Sequence, residues 1–178
     1  AGINAECISW DDVLHDGPVP VTGSLQDLSN IRVAYIAKCG WGEEEGIRTR
    51  FEERDRTFIE AVLPGPLRRS ELILWFEHDL YDQLQLVQLL FELGRLTADA
   101  PSCSIICHDH FVAMTPEDQL KADYVARETI SREKLAVATK TWAAFTSDNA
   151  LSLGTLRRET DLRSLPFLGA AVDRLLAD

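Results

Sequence analysis

Basic residues are scarce in this chain. Lysine and arginine together number 18 against 29 aspartates and glutamates, for a formal net charge of −11. Nucleic-acid phosphates are held by Lys and Arg, so this balance makes nucleic acid an unfavoured partner, and no run of basic residues restores one locally. No apolar run approaches the roughly 20 residues that a membrane-spanning helix needs. Cysteine is sparse and scattered, with four in 178 residues, which excludes a disulfide scaffold. Cys103 and Cys107 share one predicted strand and would lie about 13 Å apart along it, beyond disulfide reach. No C-x-x-C metal knuckle occurs. This thiol usage fits a reducing, cytoplasmic compartment. Several catalytic signatures are also missing: there is no G-x-S-x-G elbow, no P-loop and no G-x-G-x-x-G.

What is present is the composition of a globular protein, 46% hydrophobic and 26% charged, long enough for one domain with a good core or for a domain with a small appendage. The opening AGINAECISW reads as the end of one element running into a strand at Glu6–Trp10, so an N-terminal strand and turn are expected to precede it. Gly17, Pro18 and Pro20 fix a rigid loop after that strand. Ser24 with Asp27 resembles a capping box and opens a helix that Gly40 and Gly42 end. Residues 43–63 form a second helix, stopped by Pro64. Its apolar face is Ile47, Phe51, Phe58 and Val62, and Arg54 or Asp55 falls on that face, where a charge needs a partner.

Residues 72–76 read as a buried strand. A polar turn holding Glu77, His78, Asp79 and Asp82 follows, then an amphipathic helix over 80–94. Residues 102–107 form a further strand, ending in His108, Asp109 and His110. Strands alternating with helices at these lengths predict a Rossmann-like three-layer parallel sheet over residues 1–114. The strand at 72–76, apolar on both faces, is expected to be its most buried member. After Met114 the pattern turns helical, at 115–120, 131–145, 151–159 and 165–176. Residues 115–178 are therefore expected to be a small all-helical C-terminal region.

All four histidines fall just past a predicted strand, and so do the densest carboxylates. In an open parallel sheet, ligands bind at the carboxyl ends of the strands, so these turns are expected to meet at one edge. The candidate catalytic groups are Asp12, His15, Glu77 and His78, and the candidate ligand-binding groups are Asp11, Arg54, Asp79 and Gln83. Imidazole beside carboxylate suits acid–base work near neutral pH and suits divalent metals. No spacing such as H-x-x-x-H specifies a metal, and no cofactor is specified. Each group also has a purely structural role open to it: Asp79 as a helix cap, Asp11 and Asp12 as loop ties, Arg54 as a side chain at the core edge.

At WDDVLHDGPVP (10–20) and LWFEHDLYDQLQLVQLL (74–90) the chain resembles the bacterial domain-of-unknown-function family 1835. The later stretch through TWAAF and LPFLGAAV resembles the helical part that commonly follows in that family. The resemblance implies that Trp10, Asp11, Asp12, His15, Gly17, Pro18, Glu77, His78, Asp79 and Gln83 occupy motif positions. It implies no established activity. The family's usual opening, a strand and a Gly-Asp-Ser turn, is not in this sequence. Two functions stay open. One is a hydrolase or transferase acting on a phosphorylated or nucleotide-like small molecule. The other is a non-catalytic module for small-ligand sensing or protein interaction. Oligomeric state is not readable.

Overall fold

The computed structural model describes residues 5–67, 69–96 and 101–177. Residues 5–22 run without helix or strand. The elements that follow are α1 (Leu25–Lys38), α2 (Glu44–Val62), β1 (Glu71–Phe76), α3 (Leu80–Gly94), β2 (Ser102–Cys107), a 3-10 turn (Val112–Met114), α4 (Glu117–Val125), β3 (Glu128–Thr129), α5 (Arg132–Phe145), α6 (Ser152–Glu159) and α7 (Leu168–Ala177). The helix starts carry the caps their residues offer. Ser24 accepts from the Asp27 N–H, Asp79 from the Asp82 N–H and Ser131 from the Lys134 N–H, each satisfying one orphan donor of a first turn. Gly40, at φ +75°, turns the chain out of α1 in the left-handed region that glycine tolerates best.

The Rossmann-like three-layer sheet is not what forms. The described residues build seven α-helices around one three-stranded mixed sheet of order β1-β2-β3. β1 and β2 pair in parallel over six residues, and β3 adds two residues antiparallel to β2. Two features of the expectation fail for identifiable reasons. Glu6–Trp10 joins no sheet. Its alternation resembles a strand, but Trp10 instead lays its ring edge-on to Phe58 and donates its indole N–H to Gln88 Oε1 at 2.9 Å. The region after Met114 is not all-helical either, because Glu128–Thr129 lies against β2. A two-residue strand has no period to read.

β1 is not the most buried strand. It buries Leu74 and Phe76, whereas β2 buries Ser104, Ile105 and Ile106. β1 is an edge of the sheet and β2 its centre, and position in the sheet outweighs hydrophobicity in deciding burial.

α3 is the hub. It packs against β1, α5 and α7. Its Leu84, Leu86, Val87, Leu89, Leu90 and Leu93 share one apolar cluster with Phe76 and Ile105 of the sheet and with Val137, Trp142, Leu168 and Val172 of the later helices. Each fully buried Leu or Val contributes about 1.5–3 kcal/mol, so α3 is held from several sides and its first turn is fixed in space. α1 and α2 pair through a smaller cluster of Val33, Ile36, Ile47 and Phe51.

Candidate functional site

β1 and β2 are parallel neighbours, with Phe76 opposite Cys107, so the turns leaving both strands share one edge. Glu77, His78 and Asp79 follow β1, and His108, Asp109 and His110 follow β2. The turns are stitched together. The His108 N–H donates to the Phe76 carbonyl at 2.9 Å, and the Val112 N–H donates to Glu77 Oε1 at 2.7 Å. The Glu77 N–H donates to Asp82 Oδ2 at 2.5 Å, and Asp79 caps α3 beneath it. Gln83 is buried, and its Nε2 reaches the Glu77 carbonyl at 2.6 Å and Cys107 Sγ at 3.3 Å. The structure thus brings Glu77, His78, Asp79 and Gln83 together.

The electrostatics of this edge are uneven. Burial pushes the Asp82 carboxyl up, and the charges of Asp79 and Glu77 push the same way, against the Glu77 N–H and His78. Asp109 is held below the usual carboxylate range, first by its hydrogen bond with His110 at 2.7 Å and, more weakly, by His78. The His78 ring lies 5.5 Å from the Phe111 ring and 6.1 Å from Phe167. Its Nδ1 is buried and has no hydrogen-bond partner. His108 is buried and stacks on Trp75 at 5.9 Å. Its Nε2 stands 3.8 Å from Asp123 Oδ2 of α4, and neither atom makes a hydrogen bond. A buried polar atom without a partner costs about 1–3 kcal/mol, so this edge holds hydrogen-bonding capacity that the fold does not use.

The residues of the 11–16 loop lie elsewhere. Asp12, 2% exposed, is clasped by the fully buried Arg32, whose Nε lies 3.0 and 3.1 Å from its two oxygens. Arg32 also donates to the carbonyls of Val13, Asp16 and Pro18, so the pair ties the loop to α1. Arg54 is held by Asp55 through Nε and Nη2, at 2.9 and 2.7 Å, and Ser29 bridges the two. Trp10 and Phe51 flank its guanidinium at 4.2 and 4.1 Å. The question of whether Arg54 or Asp55 faces inward resolves as both, each partnering the other. Asp11 Oδ2 sits 3.5 Å from Arg50 Nε. His15 is exposed and makes an edge contact with Tyr81 of α3 at 6.4 Å. Asp11 and Asp12 add to the rise that burial imposes on the Tyr81 hydroxyl.

Asp82, His108, Asp109 and His110 belong to the edge and are not among the candidates the sequence supplied. The signal for them was available, since the turn after residues 102–107 lies beside the turn after 72–76 if the two strands are neighbours. Among the described residues, no group of three or more His, Cys, Asp and Glu is placed to hold a metal ion, and no helix is long and apolar enough to cross a membrane. Comparison of the chain with family models, curated proteins and solved structures finds no match in any of the three.

Proposed function

We propose that this protein binds a small polar molecule at the carboxyl edge of β1 and β2, over His78. The observation that carries this reading is the buried, unpartnered Nδ1 of His78, set between two phenyl rings beside carboxylates. Phe111 is exposed and offers a ring on which a flat ligand can lie. The groups acting on Asp82 and Asp109 are neighbouring carboxylates and histidines, while Arg32 and Arg54 are neutralised by Asp12 and Asp55. A neutral or cationic ligand, such as a nucleoside-like heterocycle, therefore suits the edge better than a phosphorylated one. The two long motifs support membership of family 1835, and four free thiols support a reducing, cytoplasmic setting.

The test is a thermal-shift and NMR screen of nucleosides and small amines against wild type and His78→Ala, with phosphorylated counterparts alongside. Binding lost in His78→Ala supports the reading. A panel that binds both proteins equally refutes it. A hydrolase or transferase is the second reading, favoured by the raised carboxyl of Asp82 next to His78, a pairing suited to proton transfer. Under it, Asp82→Asn keeps ligand binding and stops turnover of the bound compound, as followed by NMR.

A further inference from the structure

Gln83 touches the edge through its amide and also lines a separate cavity of about 110 Å³ between the sheet and α5. Leu86, Ile105 and Leu165 supply the cavity's apolar wall, and Cys107, Lys134 and Glu128 its polar one. The volume is several times the 10–15 Å³ one water needs, yet below the roughly 150 Å³ that admits benzene.

Lys134 is the unusual member. Its side chain is 9% exposed, and its Nζ donates to the Ser164 carbonyl at 2.6 Å. Its anion is Glu128, 3.2 Å away on the two-residue β3, with a side chain 65% exposed. A buried ammonium needs an anion beside it. An exposed glutamate satisfies that need weakly, because water screens it and its side chain is free to leave. Lys134 also stands in the first turn of α5, where the helix N-terminus adds positive charge. The cavity therefore combines a poorly matched cation, an apolar wall and a counter-ion able to swing out.

We propose that this cavity binds a small aliphatic monocarboxylate of about two to four carbons, the size its volume allows. The ligand's carboxylate replaces Glu128 on Lys134 Nζ, and its alkyl part rests on Leu86, Ile105 and Leu165. Glu128 acts as a latch that moves into solvent when the ligand enters. The inference uses none of the histidines of the edge and does not depend on their role.

The experiment titrates the full chain, its Ile and Leu methyls labelled with ¹³C, with propionate and, separately, with its neutral isostere propionamide. Propionate is expected to shift the Ile105, Leu86 and Leu165 methyls saturably, and propionamide to leave them in place. Removing the competing carboxylate in Glu128→Gln is expected to tighten propionate about twofold to fivefold, the worth of one exposed ion pair. Lys134→Met is expected to abolish the shifts. Because that variant also removes a structural hydrogen bond, the Glu128→Gln result decides if Lys134→Met fails to fold. Equal response to propionate and propionamide, no saturable shift with propionate, or weaker propionate binding in Glu128→Gln each overturns the proposal.

Discussion

On one side, Arg32 and Arg54 each hold a carboxylate inside the core; Arg32 spends all three of its nitrogens on its own chain, while Arg54 keeps Nη1 and the neighbouring Asp11 keeps Oδ1 unpartnered. On the other side, at the strand edge, His78 and His108 each keep a buried ring nitrogen that bonds to nothing. Both regions concentrate charge, and both carry sequence motifs of the same density. The difference lies in what their partners are. Arg32 closes five hydrogen bonds to its own chain, so its cluster is a construction joint. The edge leaves two histidine nitrogens open, and that is the ground on which a ligand is proposed there.

The largest effect should come from the joint. Arg32→Ala leaves Asp12 as an uncompensated buried charge, which costs about 3–5 kcal/mol. It also removes the Arg32 donor from the Asp16 and Pro18 carbonyls, and from the Val13 carbonyl, which keeps the Asp16 N–H, so Asp12→Ala added to it is not expected to restore stability. Urea denaturation of the single and double variants checks both points. A loss under about 1 kcal/mol for Arg32→Ala, in the range of an exposed pair, would erase the contrast between the two regions.

Gly17→Ala comes next. Gly17 has φ +82°, and an added Cβ would run into the ring of Tyr35. Tyr35 in turn donates to Asp16 Oδ1 at 2.8 Å, so the clash falls on the same loop that Arg32 holds. Left-handed strain and overpacking each cost about 1–3 kcal/mol. The denaturation midpoint should drop accordingly, while ligand binding at the edge is unchanged.

The sequence already showed α3 and β2 to the residue, because α3 has an uninterrupted 3.6-residue period with Asp79 as its cap, and β2 is an apolar run bounded by polar turns. It could not show which strands would be neighbours. The expectation gave equal weight to three strand ends, one of which does not exist. His15 was thereby counted among the catalytic candidates of the edge, and His108 and His110, expected at the same edge, were left out of the candidate groups. The pairing of Arg54 with its own sequence neighbour Asp55 was also hidden. Helical periodicity marks both residues as inward but does not say that adjacent side chains will turn toward each other. Glu128–Thr129 became a strand only because β2 offered a free edge, a tertiary event with no local signature.

A third effect is a matter of sign rather than size. The Asp82 carboxyl is raised by burial, so the folded protein holds that proton more tightly than the unfolded chain does. Below the ordinary aspartate value both states are protonated and the group is neutral to folding. As pH rises from there through the raised folded value, stability is lost, and above it the loss is complete. Asp82→Asn keeps an acceptor for the Glu77 N–H and removes the titration. The variant should match wild type in acid and exceed it near neutral pH in paired urea melts. Asp109, lowered mainly by His110, has the opposite sign: its contribution is present above the ordinary aspartate value and fades as pH falls through the folded one. A stability gain for Asp82→Asn that does not vary with pH would show that burial of charge is not its cause.

The smallest effect tests the comparison most directly. His15 is exposed and meets the edge of the Tyr81 ring of α3, so His15→Ala should change stability by no more than about 0.5 kcal/mol, as for an ordinary surface substitution. Glu77→Gln should be nearly as mild, because the Val112 N–H still finds an oxygen at the same position. In binding, the two should part. Glu77→Gln removes a charge beside His78 and should weaken a cationic ligand more than a neutral one. His15→Ala should leave both unaffected, since no hydrogen bond or ring contact links it to the edge among the described residues. One titration series with a single cationic compound and its neutral analogue, run on the three proteins, separates the sites. Loss of binding in His15→Ala with Glu77→Gln unchanged would move the ligand to the Tyr81 side of α3 and reverse the roles assigned to the two regions.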